Sequence, residues 1–589
     1  MTAARFGPRL KPQGGVTFRL WAPAAKRVDL LLADVYPMRA EPHGWFEATL
    51  PEAGPGTRYR FRIDGGLIVA DPASRFQPED VHGQSEVIDP HYAWRAPHWR
   101  GRPWPDAAIL ELHVGTFTPV GSFLGAIEKL DHLADTGITA IELMPVADFA
   151  GRWNWGYDGV LPFAPDSRYG RPEDLRALVD AAHQRSLMVF LDVVYNHFGP
   201  EGNYLGRYAP AFFTNAHSTP WGKAVDYNVP QVRRFAIENA LAWLRDYRFD
   251  GLRLDAVHAI VEPGEPSILA ELNHAVGAFA AEAGRSIHLI LENDDNRASL
   301  LDPLPDPPQG KFRAQWNDDY HHAWHVLLTG EQTGYYRDYR HAPGEQLARI
   351  LSSGFAYQGE ASAHRNGAHR GEPSAELPPA AFISFLQNHD QIGNRPFAER
   401  LTALSAAPAI EAALQIMLLA PMPPMLFMGE EWGATQPFPF FCDFGGALAE
   451  AVRRGRKAEF AAAYSGLCEH SLPDPVLERT FRSAVLDWSA LDRPPHKERL
   501  ALVRRLLELR REQVTLRLQN LERNDAHAGW RDGVILAQWR LGDDSRLALV
   551  ANLGEQPRSR PPQAAHGRAL WGGAPPRELP PWSVFWNIA

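Results

Sequence analysis

Between residues 16 and 64 apolar and polar positions alternate in short bursts: Val16–Trp21, 27–32, Trp45–Leu50 and 59–63. Turn residues separate the bursts and no helical period intervenes, so the stretch predicts a small β-sandwich. Residues 92–105, rich in Trp, Pro and Arg, read as a linker. From there the pattern changes to continuous apolar runs at Ile109–Leu112, 140–144, 187–194, Gly251–Leu254, His288–Leu291, 382–386 and 425–428. A weaker run at 314–317 falls sixth in order. Such runs suit parallel strands covered on both faces. Helical patterns lie between them. Pro172–Gln184 has Pro in its first turn, Glu173 and Asp174 at the positive end, and Leu175, Leu178, Val179 and Ala182 on one stripe. The segment 230–247 repeats the design with Val232, Phe235, Ala236, Ala240, Trp243 and Leu244. Strand and helix alternating eight times over about 400 residues predict an α/β fold, a (β/α)8 barrel with insertions. A doubly wound open sheet is the alternative. After a helix at 498–511, strands return at 533–539, 546–550 and 583–587, a C-terminal β-sheet domain. The expected division is 1–97 (β-sandwich), 98–515 (barrel) and 516–589 (C-terminal domain).

Composition narrows the function. At 589 residues, 45% hydrophobic and 22% charged, the chain has material for a large core and is not disordered. Its net charge of −10 argues against nucleic acid or anionic membrane as partner. Cys442 and Cys468 form neither a disulfide framework nor a zinc motif and read as inert thiols. The first fifteen residues lack the apolar core of a signal peptide, and the apolar stretch 416–428 is short and broken by prolines, so a cytoplasmic protein is expected. Eighteen Trp and 11% aromatics offer rings that stack on the C–H faces of sugars, besides filling the core.

In a barrel the reacting groups sit at the carboxyl ends of strands. The residues that follow the apolar runs are strongly polar: Glu111 and His113, Asp148, Asp192 with Asn196 and His197, Arg253 with Asp255 and His258, Glu292 with Asp294, Asn317 with Asp318, Asn388 to Asp390, and Glu430 with Glu431. Arg253 and Asp255, two apart on one strand, project to the same side. A guanidinium there keeps the carboxylate ionised, as a nucleophile requires, although a structural ion pair has the same spacing. Glu292 ends an apolar run, where desolvation suits a general acid. Asp390 supplies a third carboxylate. Two carboxylates of unequal acidity flanking a pocket cleave glycosides, about 5 to 5.5 Å apart when configuration is retained. Metal chemistry competes through His321, His322, His325, His364 and His369, yet no HExxH or paired-Cys motif is present, so surface or substrate-facing histidines are expected. Neither a Walker loop nor a GxGxxG occurs. No cofactor and no required metal are expected, since no run of alternating oxygen ligands is present.

The segments Asp192-Val-Val-Tyr-Asn-His197, Gly251-Leu-Arg-Leu-Asp255, Leu291-Glu-Asn293 and Gln387-Asn-His-Asp390 resemble, in order, the four signature regions of the α-amylase superfamily of retaining glycoside hydrolases and transglycosidases. Phe18-Arg-Leu-Trp-Ala-Pro23 looks like the N-terminal sandwich of glycogen branching and debranching relatives. Residues 290–296 and 315–322 look like the superfamily members that cut the α-1,4 bond next to the terminal trehalose unit of malto-oligosyltrehalose. The resemblance implies Asp255 as nucleophile, Glu292 as general acid and then base, and Asp390 as binder of the distorted sugar's hydroxyls. It implies Arg253, His197 and His389 on the same sugar, Asp192 in support of Arg253, and Tyr157 stacked beneath the ring. Asp318 and Trp155 join the implied substrate-binding set, with Trp153 and Trp221 as further stacking candidates. An α-glucan is the implied partner. A branching transglycosidase, a debranching hydrolase and a non-catalytic glucan-binding protein are the rival readings. The insertion 331–379, rich in Gly, His and Arg, is expected to cover the cleft or to contact the second glucose of trehalose.

Overall fold

The computed structural model describes residues 5–219, 222–261, 264, 266–302, 311–463, 472–519, 521, 524–562 and 567–589. Eight parallel strands close into a barrel: β1 (Ile109–Leu112), β2 (Ala140–Leu143), β3 (Met188–Val193), β4 (Gly251–Leu254), β5 (His288–Leu291), β6 (Ala314–Trp316), β7 (Phe382–Phe385) and β8 (Pro424–Phe427). Closure of β8 onto β1 rules out the open sheet. Every strand residue is buried, as expected of strands with helices outside and a packed interior within. The interior mixes small and bulky side chains, with Ala140 and Ala314 beside Met188, Phe190, Ile290, Phe385 and Met425. Gly251 opens β4 because a Cβ there would stand 2.2 Å from the His288 carbonyl oxygen and 2.9 Å from the Phe190 ring. The helices Pro172–Gln184 and Pro230–Asp246 form where their stripes predict.

The N-terminal sandwich pairs two antiparallel sheets over Phe18, Leu20, Val28, Leu30, Tyr59 and Phe61. It is fastened to the barrel by the edge-on ring pairs Phe6–Phe235 (5.0 Å) and Trp21–Phe212 (5.4 Å) and by the Ala24 N–H donating to the Tyr208 carbonyl at 3.0 Å. The linker is mostly irregular but not loose: Trp99 donates through Nε1 to Asp250 (2.8 Å) and stacks on His183 (4.9 Å). The C-terminal domain is a five-stranded antiparallel sheet built on Ala526–Arg531, Val534–Arg540, Arg546–Asn552, Ser583–Ile588 and Arg568–Trp571. It seats on the insertion's helix Pro343–Ser353, where Trp539 Nε1 donates to the Leu351 carbonyl at 2.9 Å. Cys442 is buried, and burial pushes its thiol up; Cys468 lies outside the described residues. No helix among the described residues is long and apolar enough to cross a membrane.

Candidate active site

Arg253 organises the carboxyl end of the barrel. Its side chain has no exposed surface, and its guanidinium lies 4.1 Å from the Trp316 ring centroid. Nη1 donates to Asp192 Oδ2 at 2.7 Å and to Asp255 Oδ1 at 2.8 Å, while Nη2 pairs with Glu292 Oε2 at 2.9 Å. One cation thus bridges three carboxylates from β3, β4 and β5. The spacing of Arg253 and Asp255 is therefore a real contact. Asp255 Oδ2 accepts from Asn196 Nδ2 at 2.9 Å, so both its oxygens are aimed. Ala256, next in sequence, is left-handed at φ 40° and turns its N–H onto Glu292 Oε2 at 2.8 Å. Glu292 is therefore not in the apolar setting that its preceding run suggests, because Oε2 lies between a cation and an N–H dipole. Burial pushes Asp192 up to about 7, and the nearby Asp255 charge adds to the rise that Arg253 opposes.

Across the barrel mouth, Asn388 caps the short helix His389–Gly393 by accepting from the Gln391 N–H at 3.1 Å. His389 is 1% exposed, its Nδ1 on Glu111 Oε1 and its Nε2 3.5 Å from Asp390 Oδ2. Burial alone would lower its pKa, but the Asp390 and Glu111 charges outweigh burial and hold it at about 9. The Tyr157 ring stacks on His389 at 5.0 Å, and its hydroxyl donates to Asp192 at 2.6 Å. Burial, followed by the charges of Asp192, Asp255 and Asp390, holds that hydroxyl well above its usual pKa. Asp390 keeps a side chain 37% exposed. Burial first, then the Glu292 and Asp294 charges, holds Asp318 well above the carboxylate range, and Asp318 accepts from Gln391 Nε2 at 3.3 Å. His197 bonds through Nε2 to the Tyr157 carbonyl at 3.0 Å, and burial lowers its pKa. Asp255, Glu292, Asp390, Tyr157, Asp192, His197, Arg253, His389 and Asp318 therefore share one rim.

Several expectations need correction. Trp155 is 3% exposed, stacks on Phe438 at 5.4 Å and donates to the Pro439 carbonyl, so it backs His389 and has no face for a sugar. Trp153 is packed likewise, on Phe481 at 5.7 Å. Trp221 lies outside the described residues. His321, His322 and His325 are neither surface nor substrate-facing: they are buried among Tyr335, Tyr336 and Tyr339, and burial lowers all three pKa values. His364 and His369 are exposed. Glu430 and Glu431 turn away from the rim, to Gln387 and the Phe427 N–H and to His132. Among the described residues no group of three or more His, Cys, Asp and Glu is arranged to hold a metal ion.

Other site parts carry no signal in the sequence. Glu142, one position from the end of β2, is 1% exposed, and neither carboxyl oxygen has a hydrogen-bond partner. Burial, followed by the Asp192 charge, holds it well above the carboxylate range. The insertion folds back as a clamp. Arg370 donates through Nε to the Asp294 carbonyl (2.8 Å) and through Nη1 to Asp319 (2.7 Å), and Arg365 Nη1 donates to Asp295 at 2.8 Å. Against the effect of burial, Arg370 and Arg365 hold Asp294 below its usual value. The loop following Glu292 is thus pinned from outside the barrel, by residues some seventy positions away in sequence.

Three family models match the chain: the catalytic domain of alpha amylase over residues 105–218, carbohydrate-binding module 48 (the isoamylase N-terminal domain) over 5–90, and a domain of unknown function over 523–586. A malto-oligosyltrehalose trehalohydrolase of Deinococcus radiodurans is 43% identical over 560 residues, 94% of this chain and 90% of that protein. One from Arthrobacter ramosus is 42% identical over 506 residues, 84% of this chain and 87% of its own. A crystal structure from Salmonella typhimurium, provisionally described as an alpha amylase, superimposes with a TM-score of 0.95 at 42% identity, covering 100% of both chains.

Proposed function

Because the chain belongs to the malto-oligosyltrehalose trehalohydrolase family, within the α-amylase class of glycoside hydrolases, we propose that it hydrolyses the α-1,4 bond next to the terminal trehalose unit of malto-oligosyltrehalose, releasing trehalose and a shorter malto-oligosaccharide. The observation that carries the reaction chemistry is the single Arg253 guanidinium in contact with Asp192, Asp255 and Glu292. It keeps two carboxylates within reach of one sugar ring. Asp255 attacks the anomeric carbon while Glu292 gives its proton to the glycosidic oxygen, and trehalose leaves. Both contacts of Glu292 fall on Oε2, so Oε1 is the atom free to carry that proton. Water then enters, Glu292 takes its proton, and the bond to Asp255 breaks with overall retention. The carboxylates, held in place by Arg253 and His389, stabilise the positive character that the sugar gains. Asp390 and His389 take the ring hydroxyls, Tyr157 supplies the stacking face, and Asp318 joins them in binding substrate.

Incubation with malto-oligosyltrehalose, with maltoheptaose and amylose as controls, tests this assignment. Free trehalose from the first substrate, with little product from the controls, is the expected result. New α-1,6 branch points would reassign the protein as a branching transglycosidase, and, with an α-1,6-branched glucan added as a third control, its debranching would reassign it as a debranching hydrolase.

A further inference from the structure

Arg253 reaches Asp255 and Glu292, whose side chains are 11% and 17% exposed, whereas Asp390 stands across the mouth with a side chain 37% exposed. Neither burial nor the central cation aims that third carboxylate. Its own short helix does. Asn394 follows the last residue of His389–Gly393, and its N–H donates to the Asp390 carbonyl at 2.8 Å. A spacing of four puts both side chains on one face of the turn. There Asn394 Nδ2 donates to Asp390 Oδ1 at 3.4 Å, while Oδ2 lies 3.5 Å from His389 Nε2. Each oxygen of Asp390 thus has its own donor at the long end of bonding distance, a range from which catalytic contacts shorten once substrate is bound.

An amide can present either of its ends to a neighbour, and Arg456 decides which. From the helix Gly446–Ala463 it donates through Nη1 to Asn394 Oδ1 at 3.0 Å and through Nη2 to the Gly393 carbonyl at 2.7 Å. A guanidinium has donors and no acceptor, so the amide oxygen must face it and the NH2 group is turned to Asp390. The second bond sets a cation on the last carbonyl of a five-residue helix, which is too short to hold by itself. Arg456 is itself fixed: its guanidinium lies 4.6 Å from the Phe460 ring centroid and 5.4 Å from that of Phe440. Glu459 shares Nη1 at 2.9 Å, but its side chain is half exposed and water screens that pair. Burial lowers the pKa of Arg456, and the charges of Glu459 and Asp390 oppose the fall. Gly393 brings the helix end against the ring that backs His389, since a Cβ there would stand 2.1 Å from Trp155.

We propose that Asn394 and Arg456 are positioning residues for the reaction: Arg456 sets the Asn394 amide, and the amide holds the Asp390 carboxylate in line for the hydroxyls of the distorted sugar. This rests on the role given to Asp390 above. Kinetics on malto-oligosyltrehalose with the full-length protein test it. Asn394→Ala should lower kcat about tenfold while KM changes less than about twofold, because the contact matters most on the distorted ring. Arg456→Met, which keeps the stem against Phe460, should lower kcat about threefold or more, and Arg456→Lys, able to reach Asn394 or Gly393 but not both, should recover part of the loss. Asp390→Ala completes a cycle. Adding Asn394→Ala to it should slow single turnovers by less than about twofold, since the group that the amide holds is already gone. Unchanged kcat in both Asn394→Ala and Arg456→Met, or losses that multiply in the double variant, would overturn the positioning role. A damaged fold cannot imitate the expected result, because it would slow Asp390→Ala as much as it slows the parent. Parental activity in Asp390→Ala would instead overturn the reading of the site, and this inference with it.

Discussion

At the residue scale the rim holds more negative charge than its central cation can neutralise, since Asp192, Asp255 and Glu292 all converge on Arg253. Removing one of them therefore relieves repulsion as well as losing a contact. Asp255→Asn and Glu292→Gln should each cut turnover about ten-thousand-fold or more while the thermal midpoint stays level or rises, which single-turnover kinetics and calorimetry check together. A marked fall in the midpoint would mean that these carboxylates hold the fold rather than the reaction. His389 gives a pH dependence. Its folded-state value of about 9 lies above the ordinary histidine value, so its stabilising contribution is full below the latter and is lost as pH climbs through about 9. Glu111→Gln removes one of the charges responsible and should bring the decline in thermal midpoint to lower pH, seen in melts between about pH 6 and 10. At this scale Arg253, Asp255, Glu292 and Asp390 were legible, because a barrel puts the residues after each apolar run on one rim. Trp155 and the histidines of 321–325 were not. A ring type and its spacing do not say which side of an element the ring covers, and these fill the wall behind the rim.

At the element scale the strand positions were legible because two-sided burial leaves an unbroken apolar run, and even the weak sixth run became β6. The partners of the loops were not, since an insertion carries no period that points to what it touches. Arg370 shows what was hidden: it is 4% exposed and joins the Asp294 backbone to Asp319, whose carboxylate also accepts from Asn296, Tyr339 and the Ala356 and Tyr357 N–H groups. Asp294 lies two residues beyond Glu292, so the clamp fixes the direction in which Glu292 leaves β5. Arg370→Ala should lower stability by about 3–5 kcal/mol, the usual cost of leaving a buried charge without its partner. It should also lower kcat more than it raises KM. Arg370→Lys cannot span the same acceptors and should recover stability only in part. Calorimetry and steady-state kinetics on both variants decide this, and an unchanged kcat would show the clamp to be scaffolding alone.

At the scale of the whole molecule, the C-terminal sheet packs both on that insertion and on the barrel helix Ala407–Leu419, where Trp571 and Trp586 donate to Gln415 at 2.7 and 3.2 Å. Its Trp530 ring lies so close to Gly344, in the first turn of Pro343–Ser353, that a Cβ on Gly344 would stand 2.1 Å from the ring, and Asn524 Nδ2 donates to the Ser352 carbonyl at the far end of the same helix. The segment carrying Arg365 and Arg370 follows directly, so the sheet braces the clamp that braces Glu292. None of this was legible in the sequence: the strands of the C-terminal domain show in its alternation, but nothing in that alternation says which surface the sheet will cover. Gly344→Leu should unseat the sheet from the helix, since an overpacked contact with a rigid indole can be relieved only by separation, at a cost of about 1–3 kcal/mol. If the brace matters, kcat should fall several-fold while the pH dependence set by His389 and Glu111, on the other side of the barrel mouth, stays where it was. If kcat and its pH profile move together, the sheet acts on the barrel as a whole, and if neither moves, the sheet serves stability only.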